Sequence, residues 1–159
     1  MKKTIIICSG IPCSGKSTWS KEFQTNLSQK EKIVSIISRD DIRNEISKNY
    51  IHNKQNENKV TVIFYDKLNS YLNNKFIDII ILDNTYCKES YIDHIINEYG
   101  KDYNIQIMFF DISLFQAKLR NINRWYYTKK WIPIEVMNNM YKNYNKINKN
   151  KYAKYYFQS

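Results

Sequence analysis

Apolar positions along this chain recur with two periods, and the two alternate. Thr4-Ile5-Ile6-Ile7-Cys8 is short, β-branched and apolar on both faces, the pattern of a buried parallel strand. Trp19, Phe23 and Leu27 follow at four-residue spacing, which predicts a helix from Ser17 to Leu27. Lys32 to Ile37 reads as a second strand, and Ser38 or Asp40 caps a short helix reaching about Tyr50. Residues 51–59 are polar and Asn-rich, and are expected to be a loop or a frayed helix. Val60, Phe64, Leu68 and Tyr71 mark an amphipathic helix, and Phe76 to Leu82 a strand ending at Asp83. Tyr91, Ile92, Ile95, Ile96 and Tyr99 line another helix, with Gly100 placed as its C′ residue. Asn104 to Phe110 predicts a fourth strand, ending at Asp111. Phe115, Leu119 and Ile122 predict an apolar helix face leading into Asn123–Tyr127. Pro133 opens a last helix with Met137, Met140, Tyr141, Tyr144 and Ile147 on one face.

Strands alternate with helices, without repeats and without a Gly- or Pro-rich linker. The expectation is one α/β domain over residues 1–147, a parallel sheet of four to five strands with helices on both faces. Residues 148–159 read as a basic tail. No stretch reaches the apolar length of a membrane span, and the run after Met1-Lys2-Lys3 is too short for a signal peptide, so the chain reads as cytosolic. Ligands of such sheets bind beyond the carboxyl ends of the strands. That directs attention to residues 10–17, 39–43, 83–85 and 111.

Charge sharpens the picture because it is uneven. The formal net charge is +10, yet residues 1–112 carry only +1 of it. Residues 113–159 hold ten Lys and Arg and one acid, Glu135. A concentration of this kind on a phosphate-handling domain points to a polyanionic partner. The abundance of Asn, Ile, Lys and Tyr carries less weight, since all four have AT-rich codons. Three cysteines, Cys8, Cys13 and Cys87, have neither metal-ligand spacing nor the even count of a disulfide framework.

The strand-to-helix turn Gly10-Ile11-Pro12-Cys13-Ser14-Gly15-Lys16-Ser17 reads G-x-x-x-x-G-K-S, a phosphate-binding P-loop. Gly10 and Gly15 tolerate the backbone angles that turn successive N–H groups inward, toward phosphate oxygens at a helix N-terminus. Lys16 reaches the β- and γ-phosphates and the Ser17 hydroxyl binds Mg²⁺, with Thr18 beside it. The motif implies a nucleoside triphosphate such as ATP and leaves its acceptor open. Asp40 and Asp41 follow the second strand, where a carboxylate can take the proton of an acceptor hydroxyl. Arg43 shares a helix face with Asp40 and suits bidentate binding of an acceptor phosphate, or a plain ion pair with Asp40. Asp83 stands where a strand-end acid orients the Mg²⁺ shell through water, or holds Arg43. Arg120 and Arg124, one helical turn apart, can converge on a triphosphate as part of a lid, or merely complement a helix C-terminus.

Four blocks in order resemble the kinase domain of the phage T4 polynucleotide kinase family. They are the P-loop with Ser17-Thr18-Trp19, Arg39-Asp40-Asp41-Ile42-Arg43, Asp83-Asn84-Thr85, and Arg120-Asn121-x-x-Arg124 with Pro133 beyond. The similarity runs to about Tyr144 and implies a P-loop kinase fold with an Arg-bearing lid. It implies transfer of a γ-phosphate to 5′-hydroxyl ends of DNA or RNA, for nucleic-acid repair. By that resemblance Asp40 is the general base and Arg43 holds the acceptor's phosphate. Lys16, Ser17 and Arg124 hold the ATP phosphates, and Asp83 lies in the same tunnel. The family's middle block usually reads Asp-Thr-Asn, which leaves the roles of Asn84 and Thr85 open. No D-x-D-x-T phosphatase motif occurs, so 3′-phosphatase activity is not expected.

Two other functions compete with this one. A kinase of a small molecule, a nucleoside or a sugar, shares fold and P-loop. A nucleotide-switched binding protein without transfer is the other, although the N-K-x-D of a GTPase is absent. Between the arginine pair and Pro133, Trp125, Tyr126, Tyr127, Lys129, Lys130 and Trp131 read as a mobile lid. Aromatics interleaved with Lys suit stacking on single-stranded bases; the alternative is that Trp125 and Trp131 pin the lid to the core.

Overall fold

The computed structural model describes residues 2–158. Four strands, β1 (Thr4–Ser9), β2 (Val34–Ile37), β3 (Ile79–Asp83) and β4 (Asn104–Phe109), form an all-parallel sheet in the order β2-β3-β1-β4. The helices are α1 (Lys16–Ser28), α2 (Arg39–Ile46), α3 (Lys54–Asn73), α4 (Glu89–Tyr99), α5 (Leu114–Thr128) and α6 (Ile134–Tyr144). A 3-10 helix, Lys149–Tyr155, follows. The central strands are buried on both sides, and successive residues serve different layers. Ile5, Ile7, Ile80, Leu82 and Ile107 pack with Ile42, Val60, Phe64, Ile92, Met137 and Tyr152. Ile6, Cys8 and Ile81 pack with Trp19, Phe23 and Leu27 of α1. The expected α/β sheet with helices on both faces is therefore present, with four strands.

Several local expectations shift. The stretch 51–59 is mostly helix, because Asn53 caps α3 by accepting the Asn56 N–H at 2.9 Å. Ser38, not Asp40, caps α2, accepting the Asp41 N–H at 3.3 Å, and α2 stops at Ile46, short of Tyr50. Gly100 closes α4 in the right-handed helical conformation, with no left-handed turn. On α5 the expected apolar face is inverted. Phe115, Leu119 and Ile122 are 70%, 46% and 49% exposed, and Ala117 and Asn121 face the core instead. A small residue and a satisfied amide let α5 sit close, and the large apolar side chains point outward.

The segment read as a tail is packed. Tyr152 is buried and donates to Asp93 Oδ1 at 2.9 Å. Phe157 donates its N–H to the Ile107 carbonyl at 2.9 Å, and its ring stacks edge-on against Trp19 and Phe23. Asp111 accepts from Tyr144 at 2.9 Å and pairs with Lys149, so the acid after β4 anchors the C-terminal segment. Tyr152→Ala is accordingly expected to cost about 3–5 kcal/mol, as for other large buried aromatics. Chemical denaturation checks this, and a change below about 1 kcal/mol would show that the segment is dispensable to the fold.

Candidate active site

The P-loop connects β1 to α1 through two left-handed residues, Cys13 (φ 63°) and Gly15 (φ 101°). Gly15 sits at the N-cap of α1, where its conformation suits glycine. A Cβ on Gly10 would lie 2.8 Å from Ser14 Oγ and 2.9 Å from Phe110 Cβ, so only glycine fits. The Gly10 N–H donates to the Thr85 carbonyl at 2.8 Å, and the Ser9 hydroxyl to the Tyr86 carbonyl at 2.8 Å. The segment after β3 thus fixes the start of the loop. Lys16 folds back over it and donates to the carbonyls of Gly10 (2.9 Å) and Ile11 (2.7 Å) and to Ser14 Oγ (3.2 Å). Its ammonium is buried, and burial pushes its pKa down while the charge of Asp83 opposes the shift.

Asp83 ends β3 in register with Cys8, one strand from the loop. Burial raises its carboxyl above the usual range, against a hydrogen bond from Ser17 and the charge of Lys16. Opposite charges are thus held in a poorly solvated place, each partly neutralised by the other. Neighbouring Asn84 accepts the Arg39 N–H through Oδ1 at 2.9 Å. With Ser38, it fixes the N-terminus of α2 and so the position of Asp40. Asn84 thus holds α2 through its side chain, and the backbone carbonyl of Thr85 holds Gly10.

Arg43 Nη1 donates to Asp40 Oδ1 at 2.6 Å, as the three-residue spacing predicts. Asp83 does not hold Arg43. Glu57 of α3 does, accepting from Nε at 3.0 Å and Nη2 at 2.9 Å. The sequence does not single out Glu57, which lies in the Asn-rich stretch expected to be a loop or a frayed helix; Asn53 as a cap is the available signal. Arg39 reaches Thr61 Oγ1 at 3.1 Å and lies over the Phe64 ring, which ties α2 to α3.

Arg120 Nη1 donates to the Cys13 carbonyl at 3.2 Å, and so stands at the P-loop rim. Arg124 is half-buried one turn further along α5. Both lie within α5, not at its end, so a helix C-terminus does not explain them. The expected lid is also largely helical: Trp125 to Thr128 form the last turn of α5, and Lys129 (φ 58°) breaks it. Buried Asn121 clamps the connection to α6, donating to the Ile132 carbonyl at 2.8 Å and accepting its N–H at 3.2 Å. Trp125, Tyr126, Tyr127 and Trp131 are exposed, so the tryptophans do not pin this segment to the core. Lys129 Nζ lies over the Trp125 and Tyr126 rings.

The donor set suits a small hard cation. Ser17 and buried Asp83 offer oxygen ligands beside a phosphate cradle, and the phosphates and water would complete the shell. Among the described residues no cluster of three His, Cys, Asp or Glu forms an all-protein metal site, and no helix is long and apolar enough to cross a membrane.

Solved structures share this architecture. A chain of the Pnkp1/Rnl/Hen1 RNA repair complex matches with a TM-score of 0.77 and 22% identity over 91% of this protein. That match spans 44% of the other chain, so this protein covers under half of its length. Chaetomium thermophilum Kti12 in complex with ADP-AlF3 matches with a TM-score of 0.67 and 16% identity, over 92% of this protein and 82% of that one. A gluconokinase from Sinorhizobium meliloti 1021 matches with a TM-score of 0.54 and 12% identity, over 89% and 74%. At these identities the likeness establishes the P-loop kinase-like fold. The resemblance to polynucleotide kinases holds at that level, and the family whose sequence profile matches is a different one. Its description is chromatin associated protein KTI12, and it matches residues 4–154, nearly the whole length. The chain belongs to the KTI12 family.

Proposed function

We propose that this protein transfers the γ-phosphate of ATP, or another nucleoside triphosphate, to 5′-hydroxyl ends of DNA or RNA. Two groups standing just after strand ends, where ligands of such sheets bind, support the reading. One is a P-loop with a buried lysine; the other is an Asp40–Arg43 pair held by capping at the end of β2. Gly10 to Thr18, with Arg120 and Arg124, bind the triphosphate. Ser17, and Asp83 through water, would hold a Mg²⁺ ion, which would neutralise charge on the phosphates. Asp40 takes the proton of the attacking 5′-oxygen, and the new O–P bond forms in line as the bond to ADP breaks. Two N–H groups of Arg43 remain to hold the acceptor's phosphate, since three of its five are taken.

Exposed aromatics beside Lys129 and Lys130 supply a stacking surface for single-stranded bases. Each of Trp125→Ala and Trp131→Ala is expected to weaken oligonucleotide binding by ~1–3 kcal/mol. Replacing Lys129 and Lys130 should flatten its salt dependence. Fluorescence titration at several salt concentrations measures both, and unchanged affinity and slope would show that the segment serves the fold or the nucleotide and not the nucleic acid.

Kinetics with matched acceptors test the proposal against a small-molecule kinase. A 5′-OH oligonucleotide should give at least a tenfold higher kcat/KM than a nucleoside or gluconate, and the advantage should shrink with added salt. A preference for the small acceptor supports the other reading. The KTI12 family is described as chromatin associated, a description that names no transfer, and the further reading is a nucleotide-switched binding protein in which Asp40 has no catalytic part. That reading predicts slow hydrolysis and no phosphorylated acceptor.

A further inference from the structure

We infer that Glu57 is the positioning residue of the acceptor side, holding Arg43 and, through it, Asp40. The inference rests on the kinase reading above. Glu57 grips the side-on edge of the guanidinium, Nε at 3.0 Å and Nη2 at 2.9 Å, while Nη1 reaches Asp40 at 2.6 Å. Two carboxylates thus share one cation, and they are not equivalent. Asp40 is 69% exposed and makes one bond to Arg43; Glu57 is 34% exposed and makes two. Glu57 also accepts the Tyr50 hydroxyl at 3.0 Å and faces His52 Nδ1 at 3.3 Å. Glu57 is therefore the fixed end of the arrangement and Asp40 the end free to exchange Arg43 for a substrate hydroxyl. The Arg43 hydrogen bonds hold the Glu57 carboxyl down at about 2, so it stays ionised at any working pH. Without Glu57 the guanidinium loses the grip on its side-on edge and can collapse onto Asp40, which would occupy the base.

Packing between α2 and α3 does not depend on this contact alone, since Ile42, Val60 and Phe64 lie in one apolar cluster. Glu57→Gln is therefore expected to fold. In steady-state kinetics with a 5′-OH oligonucleotide, it should raise the acceptor KM at least tenfold and lower kcat. The rise in melting temperature on adding ATP should be unchanged. In an Arg43→Ala background, Glu57→Gln should have no further effect. Unchanged kinetics, or an equal loss with Arg43 already removed, would overturn the assignment of Glu57 alone. A wild-type protein that phosphorylates no acceptor overturns the kinase reading, and the assignment with it.

Discussion

Asp40→Asn should lower kcat by roughly 10²–10⁴, the range for loss of a general base, while leaving ATP affinity nearly unchanged. The carboxylate sits in the first turn of α2, fixed by Ser38 and Asn84, and is exposed to an incoming acceptor. The amide is isosteric and keeps an oxygen for the Arg43 bond, so binding geometry survives while proton acceptance is lost. Its hydrogen bonds are with α2 and Arg43, away from the P-loop carbonyls that hold Lys16. Single-turnover transfer alongside nucleotide titration separates the two quantities. A parallel loss of ATP binding would place Asp40 on the nucleotide or its metal ion, and no loss of output would favour the switch reading.

Lys16→Met should act oppositely on stability and on nucleotide binding. In the folded chain Lys16 is buried on carbonyl oxygens with its pKa depressed. The fold therefore binds that proton less tightly than the unfolded chain does. At neutral pH the buried ammonium costs stability, a cost that disappears as rising pH removes the proton. Methionine keeps the volume without the charge, so the melting temperature of the nucleotide-free protein should hold or rise. The stabilisation given by ATP, about 2.7 kcal/mol at a hundredfold excess over Kd, should largely vanish. Transfer should fall by at least about 10²–10³, the scale for removing one oriented donor at developing charge. Differential scanning fluorimetry with and without nucleotide reads the first two effects. A lower melting temperature with intact ATP stabilisation would mean that Lys16 serves the loop and not the phosphates.

The sheet and the P-loop were legible because their signals are local. A β-branched run before a Gly-rich turn needs nothing from the rest of the chain to be read. Asp40 and Arg43 were legible for the same reason, lying one helical turn apart beyond a strand. What escaped reading depends on distant partners. Glu57 meets Arg43 only because α3 lies against α2, and no spacing rule joins positions fourteen apart across two helices. The apolar stripe of α5 has perfect helical spacing and still faces outward, because Ala117 and the doubly bonded Asn121 take the core side. Periodicity locates a helix but does not choose its buried face when a small residue and a satisfied amide compete with large ones. The C-terminal segment looked like a tail because Lys dominates it, yet Tyr152 and Phe157 carry it onto the sheet.

The most direct measurement is the fate of a labelled γ-phosphate when the protein, Mg²⁺ and ATP meet 5′-OH DNA and RNA oligonucleotides. The account predicts label on the 5′ end, dependent on Asp40 and competed by unlabelled 5′-OH ends but not by 5′-phosphorylated ones. Label released only as inorganic phosphate, or none moved while ATP demonstrably binds, would contradict it.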